Sequence, residues 1–132
     1  MILVDSNILM YAAGSPHPNK RPSLEFLMKV ADGRTEAAVD AEVLQEVLHR
    51  YRALDRWKEG MAVYDHARQI FPVVFAVTAE VLDRARAILD RHPRMMARDA
   101  LHASVAEIHA VEAICSYDCD FDELARLKRI EP

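Results

Sequence analysis

The sequence predicts an α/β fold, with a parallel sheet of about five strands covered by helices on both faces. Three observations predict it. Short apolar runs alternate with longer segments in which apolar residues recur at helical spacing. Asp40 and Thr78 stand where such runs give way to helical patterns, as N-caps do. The 132 residues, 52% hydrophobic and 29% charged, can bury a core without disulfides or a structural metal. No repeat, low-complexity stretch or linker interrupts the chain, so residues 1–132 read as a single domain.

The first element is "MILV" (1–4), a buried strand that ends at the polar "DSN". "ILMYAAG" (8–14) starts a helix that Gly14 and Pro16 stop. "HPNKRP" (17–22) reads as loop. In 23–33, apolar residues at 24, 27, 28 and 30 mark a helix, with Gly33 as its stop. A second strand, "EAAVD" (36–40), leads into a helix with Val43, Leu44, Val47, Leu48 and Tyr51 on its apolar face. Residues 56–71 form another helix, weakened at Gly60. "VVFAV" (73–77), β-branched and aromatic, is the strongest strand signal in the chain. Thr78 caps a helix with Val81, Leu82, Ala85, Ile88 and Leu89 inward, which Pro93 ends. An Ala-rich helix covers 96–112. "AICS" (113–116) is a fourth strand, "DELARL" (122–127) a helical turn, and "KRI" (128–130) a fifth strand.

A net charge of −4 argues against a sequence-independent nucleic-acid coat, which needs a broad basic surface. It leaves room for an enzyme that meets nucleic acid through a local basic patch. The two cysteines, Cys115 and Cys119, have neither redox nor zinc-site spacing, and a reducing compartment fits them. No apolar run reaches membrane-span length. The N-terminus lacks the basic region of a signal peptide, and Asp5 splits its apolar run, so the chain reads as cytoplasmic.

Parallel sheets bind ligands beyond the carboxyl ends of their strands. Asp5 directly follows the first strand, and Asp118 lies two residues past the fourth. Glu46 lies near the start of the helix after the second strand, and Asp99 in the first turn of the helix leading to the fourth. Four carboxylates gathered there need a cation to stay ionised together. Oxygen donors suit Mg2+ or Mn2+, ions that promote phosphodiester hydrolysis. Each acid also has a plainer reading. Asp5 can simply end a strand, Glu46 can pair with Arg50, and Asp99 and Glu42 can favour a helix dipole. His102, at i+3 from Asp99, either hydrogen-bonds or faces a ligand, and His49 reads as a surface group.

The acidic stretch "SYDCDFDEL" (116–124) begins like a calcium-binding loop. Such a loop needs Gly at its sixth position and Glu at its twelfth, where this chain has Glu123 and Arg129. That reading fails. Asp122 and Glu123 are instead expected to start the following helical turn.

Taken together, "ILVDSNILMY", "VLQEVLHRY", "RDALHASVA" and "ICSYDCDFDEL" resemble the four motifs of PIN domains, and more narrowly those of VapC toxins from toxin–antitoxin pairs. The resemblance covers almost the whole chain. Asp5, Glu46, Asp99 and Asp118 fall on the family's acidic positions, and Asp120 on an accessory one. Ser116 stands where the family usually has Thr, keeping the hydroxyl. The resemblance implies a three-layer α/β/α sandwich and an endoribonuclease dependent on Mg2+ or Mn2+. By it, Asp5, Glu46, Asp99 and Asp118 are catalytic, and Asp5, Asp99, Asp118 and Asp120 hold metal. Ser6, Asn7, Arg98, His102 and Ser116 are accessory or touch RNA. It also implies a homodimer and inhibition by a cognate antitoxin, which would insert an Arg or Lys among the carboxylates.

Lys20, Arg21, His49, Arg50, Arg94 and Arg98 are candidates for RNA contact. Two rival functions are distinguishable. A haloacid-dehalogenase-type phosphatase also places Asp after its first strand but needs a second Asp two residues later, where this chain has Asn7. A catalytically silent module binding RNA or protein would need a defect among the four acids, and all are present. Asp5→Ala and Asp99→Asn are each expected to abolish RNA cleavage without unfolding the protein. Wild-type cleavage rates in both would refute the assignment.

Overall fold

The computed structural model describes residues 1–132. In chain order they form β1 (Ile2–Val4), α1 (Ser6–Ala13), α2 (Lys20–Ala31), β2 (Ala37–Asp40), α3 (Ala41–Ala53) and α4 (Trp57–Ile70). Then come β3 (Val74–Phe75), α5 (Ala79–Arg91), α6 (Ala97–Ile108), β4 (Ala113–Cys115), a 3₁₀ turn (Cys119–Glu123) and β5 (Lys128–Ile130). The five strands lie in the order β3-β2-β1-β4-β5, and every pair is parallel. Ile2 is in register with Ala37 on one side and Ala113 on the other. The chain thus builds outward from β1 in one direction and then returns to build in the other. The switch falls between β1 and β4.

Alternation along the strands separates two cores. Val4, Val39 and Cys115 face one side, against Ile8, Val43, Val47 and Phe71. Leu3 and Ile114 face the other, against Val81, Ile88, Val105 and Phe121. Helices α1–α4 therefore cover one face of the sheet, and α5 and α6 the other. This is the expected three-layer sandwich.

Three local expectations are corrected. Helix α2 begins at Lys20, three residues before the expected start, so Lys20, Arg21 and Pro22 are not loop. Pro22 falls in the first turn, where its missing N–H would have no intrahelical partner anyway. The strand signal at 73–77 yields only the two residues of β3. β2 is its sole neighbour, and the ladder stops where β2 ends, at the Asp40–Phe75 pair. High β-propensity cannot lengthen an edge strand that has nothing left to pair with. Helix α6 stops at Ile108 rather than 112, and Ala110 turns the chain with φ 53°.

Residues 119–123 also differ from expectation. Asp118, not Asp122, caps the 3₁₀ turn, its Oδ1 accepting from the Asp120 N–H (2.9 Å). Asp122 accepts from Arg129 of β5 (2.8 and 3.2 Å), and Arg129 also donates to the Ser116 carbonyl (3.1 Å). The last strand thereby pins both ends of the acidic turn.

Gly60 lets α4 approach α3. A Cβ there would lie 2.5 Å from Tyr51 Cβ, an atom with no freedom to move aside. Alanine is ordinarily the better helix former, so Gly60→Ala discriminates between propensity and packing. It is expected to destabilise the fold by about 1–3 kcal/mol. A melting temperature equal to or above wild type would show that the two helices separate freely there.

Candidate active site

The site is assembled by strand ends and helix starts. Asp5 closes β1 and caps α1, accepting from the Ser6 N–H (2.7 Å). Asp40 closes β2 and caps α3, accepting from the Val43 N–H (3.0 Å). Asp118 follows β4. Glu46 sits in the second turn of α3 and Asp99 in the first turn of α6. These elements meet at the carboxyl edge of the sheet, beside the switch between β1 and β4, where open α/β sheets bind ligands.

Hydrogen bonds fix the inner acids. Ser116 Oγ donates to Asp5 Oδ2 (2.6 Å), and the Asn7 amide donates to the same oxygen (3.0 Å) and to Ser116 Oγ (3.0 Å). The Asp118 N–H donates to Ser116 Oγ (3.0 Å), tying the β4 turn to Asp5. Ser6 Oγ donates to Glu46 Oε2. Beneath them lies His102, only 1% exposed, whose Nδ1 is 2.6 Å from Oδ2 of the fully buried Asp40. Its Nε2 is 3.4 Å from Glu46 Oε1 and 3.9 Å from Asp5 Oδ1, and forms no hydrogen bond with either.

The outer acids are less compensated. Ligand atoms of Asp99, Asp118 and Asp120 lie within 4.8 Å of one another. Burial, then the charges of Asp118 and Asp5, push the Asp99 carboxyl up to about 7, against the pull of His102. Burial also raises Asp5, opposed by His102 and the Ser116 hydroxyl. Burial works to raise Glu46 too, but contact with His102 and Ser6 prevails and holds it below the usual range. Burial disfavours a charged His102, yet Asp40 and Glu46 outweigh it and raise its pKa well above 6.5.

A family model described as the PIN domain matches residues 2–127. The chain belongs to the PIN domain family. Ribonuclease VapC13 of Mycobacterium tuberculosis is 37% identical over 130 residues, covering 98% of this chain and 99% of that protein. Ribonuclease VapC23 of the same species is 33% identical over 121 residues, covering 89% and 93%. Among solved structures, M. tuberculosis VapC20, described as a sarcin–ricin-loop-cleaving toxin, aligns with TM-score 0.78 and 17% identity over 100% of both chains. VapBC2 of Rickettsia felis, solved with a DNA fragment from its promoter, aligns with TM-score 0.74 and 18% identity, covering 99% of this chain and 98% of that one. At those identities the structural likeness bears on the fold.

This PIN domain brings Asp5, Glu46, Asp99, Asp118 and Asp120 onto one cleft of about 830 Å³, with Ser6, Asn7 and Arg98. The four acids expected to share metal divide in two. Asp99, Asp118 and Asp120 group together, whereas Asp5 groups with Glu46 and His102. Ser6, His102 and Ser116 are buried; Ser6 lines the cleft, and His102 and Ser116 lie beneath it. Asn7, where a dehalogenase-type phosphatase needs its second Asp, donates its amide to Asp5 and Ser116. Arg98 is 64% exposed, with Nη1 3.8 Å from Glu46 Oε1, and His49, Arg50 and Arg56 complete a basic rim. Lys20 is committed to the Gly14 carbonyl (2.5 Å), Arg21 pairs with Glu25, and neither lines the cleft. Arg94 does not line it either.

Sequence reasoning missed the depth of Asp40, read only as a cap. Its signal was available: like Asp5, it ends a short apolar strand.

Asp99 supplies a test of the electrostatics. Its folded pKa of about 7 lies above its ordinary value of 3.8. The folded chain therefore holds a proton that the unfolded chain has lost, and stability falls as pH rises between those values. Asp99→Asn removes that penalty. In metal-free protein it is expected to raise the melting temperature by roughly a few degrees at pH 8 and to change it little at pH 4. An equal shift at both pH values would mean that Asp99 sits in no unfavourable field.

Proposed function

We propose that this PIN domain is a metal-dependent endoribonuclease and the toxin of a type II toxin–antitoxin pair. The observation that carries the reading is the convergence of Asp5, Glu46, Asp99, Asp118 and Asp120 on one cleft at the sheet's switch point. The donor set fits a hard divalent ion: the outer acids are all oxygen ligands, and the raised pKa of Asp99 registers burial first and then neighbouring negative charge that His102 only partly offsets.

Asp5, Asp99, Asp118 and Asp120 are the residues to hold Mg2+ or Mn2+. A bound ion would neutralise charge on the scissile phosphate and make a water more acidic. The chain's own residues do the rest. Ser116 and Asn7 fix the Asp5 carboxylate through its Oδ2, so the rotamer is set before substrate arrives. Glu46 lies below its usual pKa and is ionised at neutral pH, ready to orient a water or accept its proton. Arg98 reaches out beside Glu46 and offers a cation to a phosphate oxygen, with His49 and Arg50 extending that rim along the cleft.

The partners follow the same reading. Structural neighbours include a toxin–antitoxin complex from Klebsiella pneumoniae (TM-score 0.69, 16% identity, 96% of this chain and 95% of that one) and VapBC2. A cognate antitoxin, a homodimer and a cytoplasmic setting belong to the proposal. Leu24 and Met28 of α2 and Met61 of α4 are exposed apolar groups available to such contacts. No helix is long and apolar enough to cross a membrane.

Purified, antitoxin-free protein is expected to cut total RNA into discrete fragments with Mg2+ or Mn2+. Chelator should stop the cleavage, and so should Asp99→Asn. Cleavage that survives chelation would overturn the metal-dependent mechanism. No cleavage by folded, metal-loaded protein would overturn the ribonuclease reading.

A further inference from the structure

Beneath the cleft, His102 presents a ring nitrogen that lies in ion-pair range of Glu46 and Asp5 but makes no hydrogen bond. The side chain is 1% exposed, and Nε2 has no hydrogen-bond partner. Buried polar atoms are rarely left without a hydrogen bond. The other ring nitrogen is tied to Asp40 at 2.6 Å, and Asp40 is anchored by the Val43 N–H. A carboxylate on Nδ1 is the arrangement that orients a metal-ligating imidazole and strengthens its second nitrogen as a ligand.

The aim of Nε2 is specific. It points between Glu46 Oε1 (3.4 Å) and Asp5 Oδ1 (3.9 Å). Two ligand atoms that share a tetrahedral ion at about 2.1 Å stand about 3.4 Å apart. Nε2 stands at nearly that spacing from each carboxylate, the three ligand atoms lie within 4.8 Å of one another, and Asp5 and Glu46 open onto the cleft from which an ion would enter. Ser6 Oγ lies against the same two carboxylates. Asp99, Asp118 and Asp120 form a separate group of oxygen ligands.

We propose that Asp5, Glu46 and His102 Nε2 form a second, nitrogen-containing cation position, which shares Asp5 with the oxygen-only position that Asp99, Asp118 and Asp120 complete. It would take a divalent ion that accepts imidazole, such as Mn2+ or Zn2+, rather than Mg2+ alone. Binding replaces the proton on Nε2, which leaves to solvent. The inference rests on reading this floor as a cation site, but not on RNA being the substrate.

The test is Mn2+ binding to the full-length protein. Calorimetry of wild type is expected to find two equivalents, and His102→Gln one. Pulsed electron paramagnetic resonance of the loaded wild type is expected to show coupling to an imidazole nitrogen, absent in His102→Gln. The wild-type spectrum stands even if the variant folds poorly. Saturation without nitrogen coupling, coupling that persists in His102→Gln, or no Mn2+ binding would each overturn the proposal. RNA cleavage measured on the same samples separates the two claims. Cleavage without nitrogen coupling sinks this site alone, and coupling without cleavage sinks the ribonuclease alone.

Discussion

Mutual repulsion among the carboxylates at the switch between β1 and β4 is the constraint that organises this fold. Parallel strands deliver Asp5 and Asp40 side by side, and the helices that follow bring Glu46 and Asp99 toward them. Left alone, that much negative charge in a low-dielectric floor would push the elements apart or be protonated away. The chain offsets it unevenly. Hydrogen bonds from Ser6, Asn7 and Ser116, with the imidazole of His102 beneath, compensate the buried half. The outer half has no comparable partner, and burial together with the charges of Asp118 and Asp5 raises the pKa of Asp99 there. The uncompensated half is where an external cation has most to gain.

The scaffold holds this arrangement by simple means. β1 sends Leu3 to one core and Val4 to the other, so three residues anchor the strand on both faces before Asp5 is reached. The Asp5 N–H then donates to the Cys115 carbonyl (3.0 Å), continuing the ladder to the edge of the site. Rigid elements rather than loops thus carry Asp5, Glu46 and Asp99, the condition for preorganised chemistry.

Much of this was legible in the chain. An acid straight after an apolar strand is conspicuous, so Asp5 stood out. The order of four short motifs located Glu46, Asp99 and Asp118. What stayed hidden depends on pairing across long separations. A sequence separation of 62 between Asp40 and His102 conceals their contact, since each has an ordinary local role as cap or helix residue. The shortness of β3 was hidden likewise, because propensity registers the strand's own residues and not the length of its neighbour. The division of the acids into two groups is a matter of ångströms, which spacing in sequence does not resolve. Asp122 looked like a cap because caps are local, whereas its partner Arg129 arrives from the next strand.

That last contact has a consequence for when the site can exist. Arg129 grips Asp122 and the Ser116 carbonyl, and Ser116 in turn bonds Asp5 and the Asp118 N–H. Asp5 is therefore linked through Ser116 to the last strand of the sheet. During translation, Asp5, Glu46 and Asp99 emerge long before the strand that fastens the acidic turn. A ribosome-bound chain lacking residues 128–130 carries the acids without the clasp that assembles them. The geometry of the site is thus tied to a strand synthesised after all of its acids.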